Sequence, residues 1–314
     1  MPDRDTEPSP QLGGVDLTAA EAWIRQTIQP TGALQLEKER PWATVLRVPI
    51  ADGRAFFKAC RPVQGFEPGL TAAVASRWPD RVAEVLAHDV HRGWLLTADA
   101  GAPLDDLRNP PELWLELLPR YAELQRGEAT HAADHLAAGV PDLRGSALRQ
   151  GFDRLVARDL PLDPGELSAA REVRPRVDAL LDQLATAAIP DTIEHADLHH
   201  RSVFSRVREL RILDWGDASV SHPFFSLEVT FHWLREVNGL APDDPWFDRL
   251  RDAYLEPWGT GLVPAFDIAE RLGKLARALA WLRHHDAMGP GAFPLFDELF
   301  PDVLREAFEA LASS

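Results

Sequence analysis

The sequence contains one cysteine, Cys60, so no disulfide can close within the chain, and a reducing, cytoplasmic compartment is expected. Cys60 ends an apolar run and reads as a small buried hydrophobe. No apolar stretch approaches the roughly 18 residues of a membrane-spanning helix, and the first ten residues carry no apolar core of a secretory signal. Basic charge is scarce: 33 Lys and Arg face 49 Asp and Glu, for a formal net charge of −16. Nucleic acid and anionic membranes are polyanions that require a basic face, so neither is an expected partner, whereas cationic small molecules suit such a surface. Internal repeats and low-complexity tracts are absent too. What remains is 314 residues, 45% hydrophobic and 26% charged, a globular composition with length enough for two lobes and a sizeable core.

Residues 1–14 are polar and rich in Pro and Gly, and are expected to be disordered. Asp16 or Thr18 can cap a helix over 19–28, ended by Pro30 and Gly32. Residues 33–60 alternate as a three-strand meander, with Ala51-Asp52-Gly53 as its second turn. The third strand is apolar except for Lys58, and a cation there calls for a partner anion. Glu67 opens the helical pattern over 66–78 and is the only acid in it. Strand patterns over 82–90 and 93–97 follow, then the small-residue segment 97–101. Helical spacing covers 111–125, 167–187 with a kink or restart at Pro175, 224–240, 245–254, 266–283 and 301–312.

The densest chemistry lies between His195 and Asp217. His195-Ala-Asp197-Leu198-His199-His200-Arg201-Ser202 precedes a short strand pattern, and a second one, Leu210 to Leu213, ends at Asp214, with Asp217 three residues on. As a hairpin, these strands bring Asp197 and Asp214 to one end, where a base and a metal ligand can share a site. The histidines beside carboxylates also offer the donor types of a zinc site. Asp217 reads as a helix N-cap or a contact to an acceptor.

His195-x-Asp197-Leu198-His199, followed by an Ile-Leu-Asp214 strand end, resembles the aminoglycoside phosphotransferase family of protein-kinase-like enzymes, which also includes choline, homoserine and methylthioribose kinases. The resemblance implies an α+β, two-lobed, protein-kinase-like fold. After the disordered 1–14, residues 15–98 would form a nucleotide-binding lobe with a five-stranded antiparallel sheet, and 99–314 a larger, mainly helical lobe holding the catalytic hairpin and the acceptor site. It implies ATP or GTP and Mg²⁺, and O-phosphorylation of a small cationic or polyhydroxylated molecule, an aminoglycoside-type antibiotic first and an amino alcohol or sugar second.

By the same resemblance Asp197 accepts the acceptor's proton, Asp214 binds Mg²⁺, Lys58 holds the α- and β-phosphates, and Glu67 holds Lys58. Asp99 and Ala100 centre the hinge that meets adenine, and His195 braces the catalytic loop. The turn at 39–44 lacks the glycines of protein kinases, leaving Thr44 and nearby amides to meet phosphate. Ser202 stands where the family carries a metal-binding Asn. A hydroxyl is a shorter, weaker ligand, so the second metal should be weak, and a nucleotide-binding protein without turnover stays open. Two acidic stretches, 239–258 and 286–309, lie where the family binds cationic acceptors, and solvated helix faces are the plainer reading.

Overall fold

Alternation in β-branched and aromatic residues builds the first lobe. The computed structural model of the chain describes residues 11–206 and 209–313. A small hairpin, β1 (Gln11–Leu12) and β2 (Val15–Asp16), leads into α1 (Leu17–Ile24), capped by Asp16, whose Oδ1 accepts the Ala19 N–H at 3.0 Å. Then come β3 (Gln35–Arg40), β4 (Ala43–Ile50), β5 (Gly53–Cys60), α2 (Glu67–Arg77), β6 (Val85–Asp89) and β7 (Trp94–Ala98). The strands form one five-stranded antiparallel sheet in the order β3-β4-β5-β7-β6. Successive strand residues face opposite ways, so Leu46, Val48, Ala55, Phe57 and Leu96 pack together with Ala20 and Ile24 of α1, while Lys58 takes the other face of β5.

The expected disorder over 1–14 is corrected for 11–14; residues 1–10 lie outside the described residues. Gly13 and Gly14 turn with φ +57° and +70°, Val15 is buried, and the Gly13 carbonyl accepts the Thr44 hydroxyl at 2.7 Å. The glycines here serve a tight turn, a conformation they adopt at little steric cost.

The second lobe begins with β8 (Ala102–Pro103), α3 (Pro111–Glu128), α4 (Ala132–Ala137), α5 (Gly145–Val156), α6 (Pro164–Glu172) and α7 (Arg174–Ala185). The expected helix over 167–187 is thus two helices, with Pro175 in the first turn of α7, where its missing N–H costs nothing. Next come β9 (Thr192–Glu194), β10 (Val203–Arg206), β11 (Glu209–Ile212), β12 (Ser219–Ser221), α8 (Leu227–Asn238), α9 (Pro245–Leu255), α10 (Val263–Met288) and α11 (Pro294–Ala312). A large apolar core joins α3, α5, α7, α8, α9, α10 and α11. No described helix is long and apolar enough to cross a membrane.

Two strand pairs frame the site. β10 pairs with β11 and β8, and β12 pairs with β9. Residues 195–202 therefore loop between β9 and β10, and 213–218 between β11 and β12. Ser202 and Leu213 close the two loops against each other, with the Leu213 N–H on the Ser202 carbonyl at 2.8 Å.

Candidate active site

Lys58 leaves the face of β5 opposite Phe57 and meets two carboxylates. Its Nζ lies 2.7 Å from Glu67 Oε2, at the start of α2, and 2.5 Å from Asp214 Oδ1, beyond β11. Glu67 is buried, at 1% side-chain exposure, so its charge needs this partner. The Cys60 thiol lies on the same side of β5 and is 3.3 Å from Glu67 Oε2, which makes it a polar neighbour of the pair as well as a buried small group. Burial alone would pull the Lys58 ammonium down, but Asp214 and Glu67 hold it well above its ordinary value. Burial likewise opposes ionisation of Asp214, and the Lys58 charge overrides it, keeping the carboxyl below the usual carboxylate range. Asp214 occupies left-handed backbone, φ +65° and ψ +56°, a costly conformation for a non-glycine residue.

The loop 195–202 is braced from beneath. Glu194 Oε1 accepts the Ala196 N–H at 2.7 Å, Tyr121 Oη accepts the His195 N–H at 3.0 Å, and the Leu198 carbonyl accepts the Thr230 hydroxyl of α8 at 2.7 Å. His195 ties the two loops together: Nδ1 accepts the Asp197 N–H at 3.3 Å, and Nε2 lies 2.9 Å from the Leu213 carbonyl. Since Nδ1 accepts, Nε2 carries the proton, and burial lowers the ring's proton affinity further, so His195 is neutral. Asp197 points outward with 38% of its side chain exposed, and His199 Nε2 is 3.1 Å from its Oδ2. Its other oxygen has no protein partner among the described residues.

Three side chains that the sequence singles out are claimed by other groups of the protein, Thr44 and Asp217 by distant residues and Ser202 by its own loop. Thr44 is fully buried and its hydroxyl is committed to Gly13, so it does not face a phosphate. Ser202 is 1% exposed, and its hydroxyl accepts the His199 N–H at 2.9 Å and faces the Asp197 and His199 carbonyls at 2.9 and 3.0 Å. It closes the 195–202 loop and has little left for a metal. Asp217 caps no helix: its Oδ1 pairs with His284 Nε2 at 2.5 Å, and Arg283 stands at 3.7 Å. The Asp99 carboxylate binds Arg54 at 2.9 Å and the Gly101 N–H at 3.0 Å, while its carbonyl takes Arg206 at 3.1 Å. Asp99 therefore shapes the 97–101 segment, and the Ala100 N–H and C=O have no protein partner among the described residues.

Among the described residues no group of three or more His, Cys, Asp or Glu is placed to hold a metal, and both His195 nitrogens are spent, so the zinc alternative lacks its ligands. The donors fit Mg²⁺ differently. The Asp214 oxygen turned from Lys58 is one hard ligand, which suits an ion that brings its remaining oxygens from phosphate and water.

Sequence reasoning missed Trp42, at the turn between β3 and β4. Its ring meets His284, Phe293 and Phe296 edge-on or tilted at centroid distances of 5.6, 5.3 and 5.5 Å, joining that turn to α10 and α11. The signal available was a large aromatic in a turn that no strand pattern buries. It also missed Glu194, a buried acid directly before His195.

Scans of the sequence against protein-family models and curated proteins find no match. Solved structures do match across nearly the whole chain. A choline kinase from Streptococcus pneumoniae is 12% identical with TM-score 0.63, covering 95% of this chain and 99% of its own. A choline/ethanolamine kinase family protein from Mesorhizobium loti is 17% identical with TM-score 0.57, covering 93% and 97%. A spectinomycin phosphotransferase in complex with ADP and spectinomycin is 10% identical with TM-score 0.57, covering 94% and 98%. With its five-stranded antiparallel sheet set on a helical lobe, the chain has the protein-kinase-like fold shared by choline kinases and aminoglycoside phosphotransferases.

Proposed function

We propose that this protein transfers the γ-phosphoryl group of a nucleoside triphosphate, ATP or GTP, to a hydroxyl of a small molecule. The observation that carries this reading is Lys58 held between Glu67 and Asp214 while Asp197 presents an unpartnered carboxylate oxygen from the neighbouring loop. Phosphoryl transfer needs little covalent chemistry from the protein and much positioning and charge neutralisation. Lys58 neutralises phosphate charge, and Glu67 aims Lys58. Asp197 takes the acceptor's hydroxyl proton as the acceptor oxygen bonds to phosphorus and the bridging oxygen leaves with the nucleoside diphosphate. Asp214 would hold Mg²⁺, which when bound would supply charge neutralisation at the phosphates. The backbone of Ala100 is free to meet the base.

Neighbours of this fold include choline kinases and a spectinomycin phosphotransferase, which supports a small hydroxyl-bearing acceptor. The formal charge of −16 favours a cationic one. An aminoglycoside-type antibiotic is the first choice, and an amino alcohol or sugar of metabolism the second. A second reading, nucleotide binding without turnover, is favoured by one observation, the commitment of the Ser202 hydroxyl to its own loop.

The test is nucleotide consumption with Mg²⁺ across aminoglycosides, amino alcohols and sugars, with mass spectrometry of each acceptor. Gain of one phosphoryl group by an acceptor, abolished in Asp197→Asn with nucleotide binding retained, is the expected result. Mg-dependent nucleotide binding with no phosphorylated acceptor favours the second reading, and absence of nucleotide binding overturns both.

A further inference from the structure

Resting on the phosphotransfer reading, we infer that His199 is the positioning residue of the catalytic carboxylate, fixing which oxygen of Asp197 the acceptor hydroxyl meets. The ring's protonation is set by the backbone. The Arg201 N–H donates into His199 Nδ1 at 2.9 Å, so that nitrogen carries no proton and the neutral ring's hydrogen sits on Nε2. Nε2 lies 3.1 Å from Asp197 Oδ2, within hydrogen-bonding distance. One oxygen of Asp197 is thereby engaged, and the other is left for the substrate.

The ring is also packed between aromatic neighbours on a fixed backbone. Its own backbone N–H is bound to Ser202 Oγ at 2.9 Å, His200 lies against it at 5.2 Å, and Trp233 of α8 packs across both rings at 5.7 and 5.1 Å. Only 13% of the His199 side chain is exposed. This makes Ser202 part of the same device: its hydroxyl joins the backbones of His199 and Asp197, the two residues whose side chains must meet. His199 takes no proton in the reaction, because Nδ1 is occupied and Nε2 already bears one. It acts through Asp197 by restricting a carboxylate that is otherwise free to rotate, and orientation of reacting groups is worth orders of magnitude in rate.

The experiment compares the full chain with His199→Ala, His199→Gln and His199→Asn. Glutamine places an amide N–H near the position of Nε2, whereas the asparagine amide reaches only to that of Nδ1. Steady-state kinetics with an acceptor identified from the panel should show kcat falling on the order of 10- to 100-fold in His199→Ala, with the nucleotide KM within about twofold of the parent chain, as expected for an interaction made in the transition state. Glutamine should restore most of the loss and asparagine little. Unchanged kcat in His199→Ala, or equal losses in the alanine and glutamine variants with intact thermal melting, overturns the positioning role. A parent chain with no turnover on any acceptor overturns the phosphotransfer reading itself, and this inference with it. Turnover by the parent with insensitive variants overturns the inference alone.

Discussion

Glu128, at the end of α3, takes Arg77 Nε on one carboxylate oxygen at 2.7 Å and Arg77 Nη2 on the other at 2.5 Å. Trp78 Nε1 adds a third bond at 2.8 Å and His135 Nε2 a fourth at 2.7 Å, and the carboxylate is fully buried. Arg77 is the last residue of α2 and Glu67 the first, so the helix that holds Lys58 is fastened at its far end to the helical lobe. Glu128→Ala leaves Arg77 without its partner in a partly buried site and should cost about 3–5 kcal/mol of stability. Chemical denaturation checks this, and a loss under about 1 kcal/mol would show that α2 is held by apolar packing instead.

The same carboxylate sets part of the acid response. Burial opposes its ionisation, but the bonds from His135, Arg77 and Trp78 prevail and lower its pKa to about 2 from an ordinary 4.5. The folded value is depressed, so the contribution to stability is present above the unfolded value and is lost as pH falls from 4.5 towards 2. A Glu128→Gln chain should melt at a lower temperature at pH 7 and show a shallower decline of Tm across that acid window. Parallel profiles would mean that other carboxylates dominate acid unfolding.

Glu194 runs the other way. It lies buried beneath the 195–202 loop, and burial raises its pKa to about 7 from 4.5 against the pull of the Ala196 N–H. The folded state prefers the neutral acid, so the contribution to stability is full below the unfolded value and is lost as pH rises through about 7. Glu194→Gln keeps an acceptor for Ala196 and removes the charge. Its Tm should match the parent near pH 4.5 and exceed it above pH 7; equal Tm at both would show that water reaches the carboxylate and relieves its burial.

Trp42 offers a test of lobe contact. Its three aromatic neighbours lie on α10 and α11 or at the start of α11, and each such contact is worth about 0.5–1.5 kcal/mol beyond burial. Trp42→Ala should release the β3–β4 turn, lower Tm through the lost contacts to α10 and α11, and weaken nucleotide binding on the order of tenfold, read by calorimetry. Equal affinity in the variant would place the nucleotide away from that turn.

How much of this was legible in the sequence depends on how local the cause is. The five strands of the first lobe follow from alternation and turn residues, which act over a few positions. The stretch 195–217 stands out because its residue types are dense and unusual for a loop. Positions whose partners come from afar are not readable. Nothing near Thr44 in sequence announces that Gly13 will take its hydroxyl, and nothing near Asp217 announces His284. α5 escapes the sequence pattern for a packing reason. Gly145 and Gly151 look like helix breakers, yet a Cβ on Gly151 would come within 2.5 Å of Leu279 Cδ1, so the glycine is there to let α10 approach. At α11 the pattern misleads the other way: Pro301 reads as the first turn of a helix, and the helix begins earlier, at Pro294.

Gly216, two residues beyond Asp214, is required for space rather than for backbone conformation. A Cβ there would stand 2.4 Å from Gln64 Cδ and 2.5 and 2.6 Å from its amide nitrogen and oxygen. Gln64 is fully buried just ahead of α2, and neither amide atom has a protein partner among the described residues, so the side chain is wedged rather than bonded. Gly216→Ala must push aside either Gln64 or the loop carrying Asp214. Overpacking of this kind costs about 1–3 kcal/mol, and a displaced Asp214 should lower kcat well beyond what the stability loss explains. Trimming the wedge separates the two effects. In a Gly216→Ala/Gln64→Ala double variant the clash is gone, so stability and kcat should both recover towards those of Gln64→Ala alone, a coupling that a double-mutant cycle reads directly. Additive losses would show that Gly216 is needed for the loop's own backbone and that Gln64 does not set the position of Asp214.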